Sequence, residues 1–345
     1  MIKLIFTLFA ILAMSSLQAE NGASLYTKNC AACHGSQGNG GVGVPLALPD
    51  FQQNVSDDFL AKTIRHGRPG RVMPAFKKLS NEEINSIVKH LRSWQETPYL
   101  PKKISVKPGN VQHGKQLFTK YCSSCHGAQG EGGHGTGVTF SRPRDLPIIA
   151  PALNNSGFLA SASDVMIKST LMHGRQGTPM TSFLKQGLSE NDIDDLVAYV
   201  RAFEKRPYDK QIALEGSENT IIRFESPYDM QTTINNVKRA ATGKNFRIIR
   251  VQSLNQGFVK ESSENIKQTI IYFCNFQLLN QALAVDPRAG LFLPCRVTVV
   301  EQNGKVEVSA INPKYMAHIF NNAELNKLCA DMDAMYQEII EESTL

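Results

Sequence analysis

The run Cys30-Ala31-Ala32-Cys33-His34 returns as Cys122-Ser123-Ser124-Cys125-His126. Cys-x-x-Cys-His is the attachment sequence for a c-type haem, and the chemistry depends on its order. Two thiols one helical turn apart can add across the two vinyl groups of one porphyrin edge. The next residue then brings its imidazole beneath the iron. A structural zinc site or a thioredoxin-like thiol pair are the alternatives. Zinc would need four ligands, and neither copy has a second Cys/His pair at finger spacing. The expectation is two covalently bound haem c groups, attached through Cys30, Cys33, Cys122 and Cys125.

The surroundings repeat with the motif. Gly22 and Gly114 stand eight residues before the first cysteine; Tyr26 and Phe118 stand four before it, each followed by Thr-Lys. His66-Gly67-Arg68 returns as His173-Gly174-Arg175, with Met73 and Met180 seven residues after each histidine and Phe76 and Phe183 three further on. Leu79-Ser80 and Leu188-Ser189 follow, and each serine has an acid three residues on, Glu83 or Asp192. That spacing reads as a helix N-cap with a capping box or near-box. Fourteen residues past each serine comes Trp94 or Phe203. The chain therefore holds two copies of one haem domain.

This pattern resembles the class I cytochrome c family in a two-haem arrangement, over residues 20–206. The resemblance implies all-α domains in which an N-terminal helix packs its glycine and aromatic against a C-terminal helix. It also implies His and Met as axial iron ligands: His34 with Met73, and His126 with Met180. His66 and His173 compete for that role and read as structural, while Met166 and Met172 are fallback ligands in the second copy. The His-to-Met interval is 39 positions in the first copy and 54 in the second, which places 15 extra residues near Gly133–Ile148. Pro45-Leu46 is similar to the family's proline beside the proximal histidine, whose carbonyl orients the imidazole.

At 345 residues the chain suggests two to three domains. Residues 1–19 read as a secretory signal peptide, with Lys3, an apolar run Leu4–Met14 and small residues ending at Ala19. The run is too short for a permanent membrane span, so a periplasmic protein is expected, with an uncleaved anchor as the alternative. Cytochrome c domains then occupy 20–96 and 109–204, with linkers at 97–108 and 205–219. The net charge of +6 is uneven, +1 over 1–19 from Lys3, +5 over 20–108, +2 over 109–206 and −2 over 207–345. No basic run carries interleaved aromatics, so nucleic-acid binding gains no support.

Residues 220–345 differ in character. Strands are expected at Thr220–Glu225, Phe246–Val251 and Thr269–Phe273, and at Val297–Val300 and Val306–Val308 around the hairpin signal Asn303-Gly304. Helices are expected at Tyr228–Thr242, ended by Gly243, at Phe276–Ala284 and at Ala323–Ile340. Helices interleaved with a small mixed sheet make an α+β domain. Tyr272-Phe-Cys274-Asn275, Ala284-Val-Asp286-Pro287, Gly290-Leu-Phe-Leu-Pro294-Cys295 and Ile311-Asn312-Pro313 are similar to the family called domain of unknown function 302. That resemblance implies a compact α+β fold, often self-associating, with no assigned activity. Cys329 reads as a core thiol. Cys274 and Cys295, each at a strand end, form a candidate pair, as a disulfide or a thiol site.

These observations describe a periplasmic dihaem cytochrome that relays electrons between redox protein partners, methionine ligation suiting transfer toward an oxidase or peroxidase. Arg65, Arg68, Arg71, Lys77 and Lys78 around Met73 could dock an acidic partner. Two other readings stand beside it. One is a dihaem oxidoreductase on a small sulfur-containing donor, with His134, Arg142 and Arg144 as an anion pocket. The other is a haem-based redox sensor acting through the tail.

Overall fold

The structure, a computed structural model, describes residues 21–94, 98–99, 103–134, 149–176, 178–211 and 220–345. The leader at 1–19, Arg142 and Arg144 lie outside the described residues. The chain forms two compact units. One comprises the described residues of Met1–Gly67, Ala75–Ser105 and Ser161–Gln186; the other comprises those of Arg68–Pro74, Val106–Ala160 and Gly187–Leu345. The two short segments that depart from chain order, Arg68–Pro74 and Ser161–Gln186, carry Met73 and Met180.

In the first unit, helix Gly22–Asn29 crosses helix Asn81–Arg92. The backbones approach so closely that a Cβ on Gly22 would lie 1.9 Å from the Ser86 carbonyl oxygen. Only glycine allows that approach. Four residues on, Tyr26 meets Trp94 edge to face at 5.0 Å between centroids, a geometry that aromatic pairs favour. Ile84, Ile87, Val88 and Leu91 are buried at helical spacing, each contributing about 1.5–3 kcal/mol by leaving water.

The second unit repeats the crossing with different residues. A Cβ on Gly114 of helix Val111–Tyr121 would stand 2.0 Å from the Asp195 carbonyl oxygen of helix Glu190–Ala202. Phe118 packs on Tyr199 and Phe203, with centroids 5.2 and 5.8 Å away. Both C-terminal helices begin in full capping boxes, Ser80 with Glu83 and Ser189 with Asp192. Ser189→Ala would orphan the Asp192 amide. We expect it to cost about 1 kcal/mol, read as a lower midpoint in thermal melts; an unchanged midpoint would mean that the box is idle.

The C-terminal part is a five-stranded sheet in the order β1-β5-β4-β3-β2. The strands are β1 (Ile221–Ser226), β2 (Arg247–Ser253), β3 (Gln268–Cys274), β4 (Cys295–Gln302) and β5 (Lys305–Ile311). Every pairing is antiparallel, which corrects the expected mixed sheet. Helix Phe276–Val285 and the turn after it return the chain at the end of β3 where it left, with Phe273 opposite Cys295, so β4 runs back along β3. Asn303 and Gly304 both have positive φ, 54° and 76°, as a two-residue I′ hairpin requires. Helices Met230–Gly243 and Asn326–Thr344 cover a core that includes Val237, Ile271, Phe273, Val308 and Ile339. Gly243 remains within the first of these; the left-handed residue after it is Asn245, φ 63°.

Helix Pro313–Phe320 was not expected, although Asn312 caps it and proline opens it, both start signals. Cys329 is buried beside Ala317, Phe320 and Leu325, as its helical spacing predicts. Where the related pattern has a proline after Cys274-Asn275, Phe276 opens the helix and the Asn275 side chain accepts from the Gln277 and Leu278 amides.

Candidate haem sites

Each attachment motif is a single helical turn. The first helix ends at Cys30, whose amide donates to the Tyr26 carbonyl at 2.8 Å. The next turn, Ala31–His34, closes with the Cys33 and His34 amides donating to the Cys30 carbonyl at 3.1 and 2.9 Å. Cys122–His126 reproduces this, with bonds of 3.2 and 2.9 Å to the Cys122 carbonyl. Two thiols and one imidazole therefore project from one turn, in two places.

The imidazoles are fixed by their second nitrogen. His34 Nδ1 lies 2.8 Å from the Val44 carbonyl oxygen, and His126 Nδ1 lies 2.9 Å from that of Pro151. A carbonyl only accepts, so Nδ1 carries the proton and the Nε2 lone pair is left for a metal. Burial pushes both pKa values down, against the opposing pull of those carbonyls, and keeps the rings neutral, as a ligand must be. The loop beside His34 needs glycine: a Cβ on Gly43 would come within 2.6 Å of the ring.

The carbonyl is that of Val44, not of Pro45. A residue before proline is confined to extended backbone, which fixes the direction of its carbonyl. In the second copy a proline itself, Pro151, supplies the oxygen. The Gly38 and Gly130 positions, φ 70° and 74°, repeat in the two loops; a Cβ there would strike Trp94 and Phe203 respectively.

Cys30 and Cys122 are not poised for redox or metal chemistry on their own. Burial, then the neighbouring Cys33, pushes Cys30 up to about 11; burial, then Cys125, pushes Cys122 up to about 12. Thiolate ligands and oxidoreductase thiols have depressed values. The donor set fits a covalently attached haem with an axial imidazole.

Met73 and Met180 lie half-buried in matching turns. The Arg68 amide donates to the Met73 carbonyl at 2.9 Å, and the Arg175 amide to the Met180 carbonyl at 2.7 Å. Val72, just before Met73, has φ 74°, a left-handed conformation rare for a β-branched residue. His66 and His173 are exposed at the ends of their helices, and His173 Nδ1 is engaged by the Ser169 carbonyl. Met166 and Met172 are half-buried on helix Asp164–His173.

The basic residues around Met73 are mostly committed internally. Arg65 donates to the Phe76, Lys77 and Leu79 carbonyls and to Asn81. Arg68 donates to the Gly157 carbonyl, stacks over Phe158 at 5.8 Å and is pushed down to about 10 by burial. Arg71 pairs with Glu324 at 2.7 Å. Only Lys77 and Lys78 of the five are exposed, so the expected docking patch shrinks to two lysines. Sequence reasoning missed these uses because each partner is a backbone carbonyl or a distant side chain.

In the C-terminal domain Cys274 and Cys295 are free thiols, and burial pushes both up, Cys274 also feeling Cys295. The register sets Phe273, not Cys274, opposite Cys295. Successive side chains on a strand point to opposite faces, which disfavours the disulfide form of that pair. Cys295, Cys329 and Tyr336 line a cavity of about 450 Å³ beside Leu279 and Phe292.

Comparison with known proteins agrees segment by segment. Residues 17–91 match the family described as cytochrome c oxidase, cbb3-type, subunit III; residues 111–204 match cytochrome c; residues 222–343 match domain of unknown function DUF302. A cbb3-type cytochrome c oxidase subunit CcoP from Azospirillum sp. (strain B510) is 29% identical over 194 residues, covering 52% of this chain and 60% of that protein. The corresponding subunit FixP from Sinorhizobium medicae (strain WSM419) is 33% identical over 127 residues, covering 34% of this chain and 42% of that protein. The chain thus spans no more than 60% of the length of these relatives. A solved DUF302 protein from Bacillus stearothermophilus aligns over 36% of this chain and 98% of its own, at 19% identity and a TM-score of 0.34. Two cytochrome c domains, each with a covalently bound haem c, precede a DUF302 domain.

Proposed function

We propose that this chain, two cytochrome c domains followed by a DUF302 domain, is an exported dihaem protein that passes electrons between redox partners. The carrying observation is the duplicated turn: two thiols and an imidazole, with Nδ1 given to a carbonyl and Nε2 left free. Cys30 and Cys33 attach the first haem and Cys122 and Cys125 the second. His34 with Met73, and His126 with Met180, would hold the two irons, a pairing drawn from their matching places in the two repeats. Haem c, when bound, supplies a one-electron iron couple.

The residues of the chain do the rest. The Val44 and Pro151 carbonyls hold each imidazole in one tautomer and one orientation. A methionine ligand would raise the potential relative to a second histidine, which favours a terminal oxidase on the acceptor side. The relatives are subunits of a cbb3-type oxidase, which supports the same direction. Among the described residues no helix is long and apolar enough to cross a membrane; export through residues 1–19 to the periplasm is part of this proposal.

Purified chain should retain two haems per polypeptide through acid–acetone extraction, seen by intact mass. Redox titration should resolve two one-electron couples, both low-spin in the ferric state. A single covalent haem, or one haem that binds cyanide without any substitution, would contradict the relay and favour an enzyme.

A further inference from the structure

The loop that carries Met73 is held by the DUF302 domain. Asn321, directly after helix Pro313–Phe320, makes four hydrogen bonds to it. Its Oδ1 accepts from the Gly70 amide at 2.8 Å, and its Nδ2 donates to the Arg68 and Met73 carbonyls at 3.1 and 2.9 Å. Its own carbonyl accepts from the Val72 amide at 2.6 Å. The Ala323 amide donates to the Gly70 carbonyl at 2.8 Å, and Arg71 pairs with Glu324 at 2.7 Å. Backbone groups on both sides of Val72 thus find their partners in one short turn of another domain.

Two features make that turn more than a passive neighbour. Val72 sits at φ 74°, a strained position for a β-branched residue that persists only when its surroundings fix it. Asn321 is itself left-handed, φ 48° and ψ 42°, which asparagine tolerates better than other side-chain-bearing residues. A Cβ on Gly70 would come within 3.0 Å of the Ala323 Cβ, so the two turns fit against each other closely. Other bonds also support the loop, from Asn155 to the Pro69 carbonyl at 2.8 Å and from Arg71 to Gly133. None of those reaches Val72 or Met73.

We propose that Asn321 is a positioning residue for Met73, so that the DUF302 domain sets how firmly the first haem keeps its axial methionine. This rests on the reading of Met73 as the ligand. The Arg68–Met73 turn has the strained residue next to the sulfur-bearing one. Without the Asn321 amide, the Met73 carbonyl loses its cross-domain donor and, among the described residues, keeps the Arg68 amide within its own turn. The loop can then relax, and the sulfur spends more time away from the position it was held in.

The test uses the full haem-loaded chain with Asn321→Asp, which keeps the shape and the left-handed backbone but turns a donor into an acceptor facing two carbonyls. Imidazole should bind the ferric first haem on the order of tenfold more tightly than in wild type, given the loss of two hydrogen bonds. The near-infrared sulfur–iron band of that haem should weaken and its midpoint potential fall, while the second haem's signals stay put. If Asn321→Asp lowers the folded fraction of the DUF302 domain by circular dichroism, Asn321→Gly is read instead, which keeps the backbone acceptor for Val72. Met73→Leu is measured alongside. Loss of one haem's band in Met73→Leu with unchanged imidazole affinity in the Asn321 variants overturns the positioning role and leaves the ligand reading standing. A band that survives Met73→Leu overturns the ligand reading, and this inference with it.

Discussion

Replacing Cys122 and Cys125 by alanine should leave a chain with one covalent haem, bound through Cys30 and Cys33. The argument is local. Each attachment turn is closed by its own backbone bonds, Cys125 and His126 onto Cys122 in one copy and Cys33 and His34 onto Cys30 in the other. Each imidazole is anchored by a carbonyl from its own loop, Val44 or Pro151. The two motifs also lie in different compact units. Intact mass should fall by one haem, and the pyridine haemochrome of the extracted polypeptide should halve. Retention of two haems after extraction would mean that attachment runs through other residues. Loss of both would mean that the copies are not independent sites.

The parts of the molecule legible in the sequence are those whose physics is local. The Cys-x-x-Cys-His turn, the capping boxes at Ser80 and Ser189 and the Asn303-Gly304 hairpin each depend on residues within one or two turns of chain. The glycine-aromatic pair was legible for another reason: Gly22 with Tyr26 and Gly114 with Phe118 recur in register, so two weak observations reinforced each other. What stayed hidden depends on partners far along the chain. Asn321 and Gly70 are separated by 251 positions, and nothing in the local pattern of either announces the other. Arg65 and Arg68 looked like surface charge because a sequence cannot say which carbonyls a folded backbone leaves unpaired. The sequence points to Pro45 and not to Val44 because the proline is the visible residue. Its effect falls on the residue before it.

Asp286 should be among the most costly positions in the C-terminal domain to change. Its side chain has no exposure. One oxygen accepts from the Arg288 backbone amide and Nε, both at 3.0 Å, and the other from Arg288 Nη2 at 2.7 Å and Asn322 Nδ2 at 3.1 Å. Arg288 also donates to the Phe320 carbonyl at 2.8 Å and stacks over the Phe320 ring. Removing the carboxylate strands a guanidinium and an amide that were satisfied by it. Breaking such a buried pair costs about 3–5 kcal/mol, so Asp286→Ala should lower the melting midpoint of this domain by on the order of 10 °C. Burial alone would push the Asp286 carboxyl up, but the Arg288 and Asn322 hydrogen bonds outweigh it and hold the pKa below the ordinary value. A depressed folded-state pKa gives stability that is present above the unfolded value, about 3.9, and is lost as pH falls through the folded one. Wild type and Asp286→Asn should therefore differ most near pH 7 and begin to converge only as pH falls below about 4, as followed by far-ultraviolet circular dichroism melts. Equal midpoints at pH 7 would show that the carboxylate is not what holds this turn. Because Asn322 sits beside Asn321, Asp286→Asn should also loosen the Met73 loop, and tighter imidazole binding at the first haem is the readout that links the two.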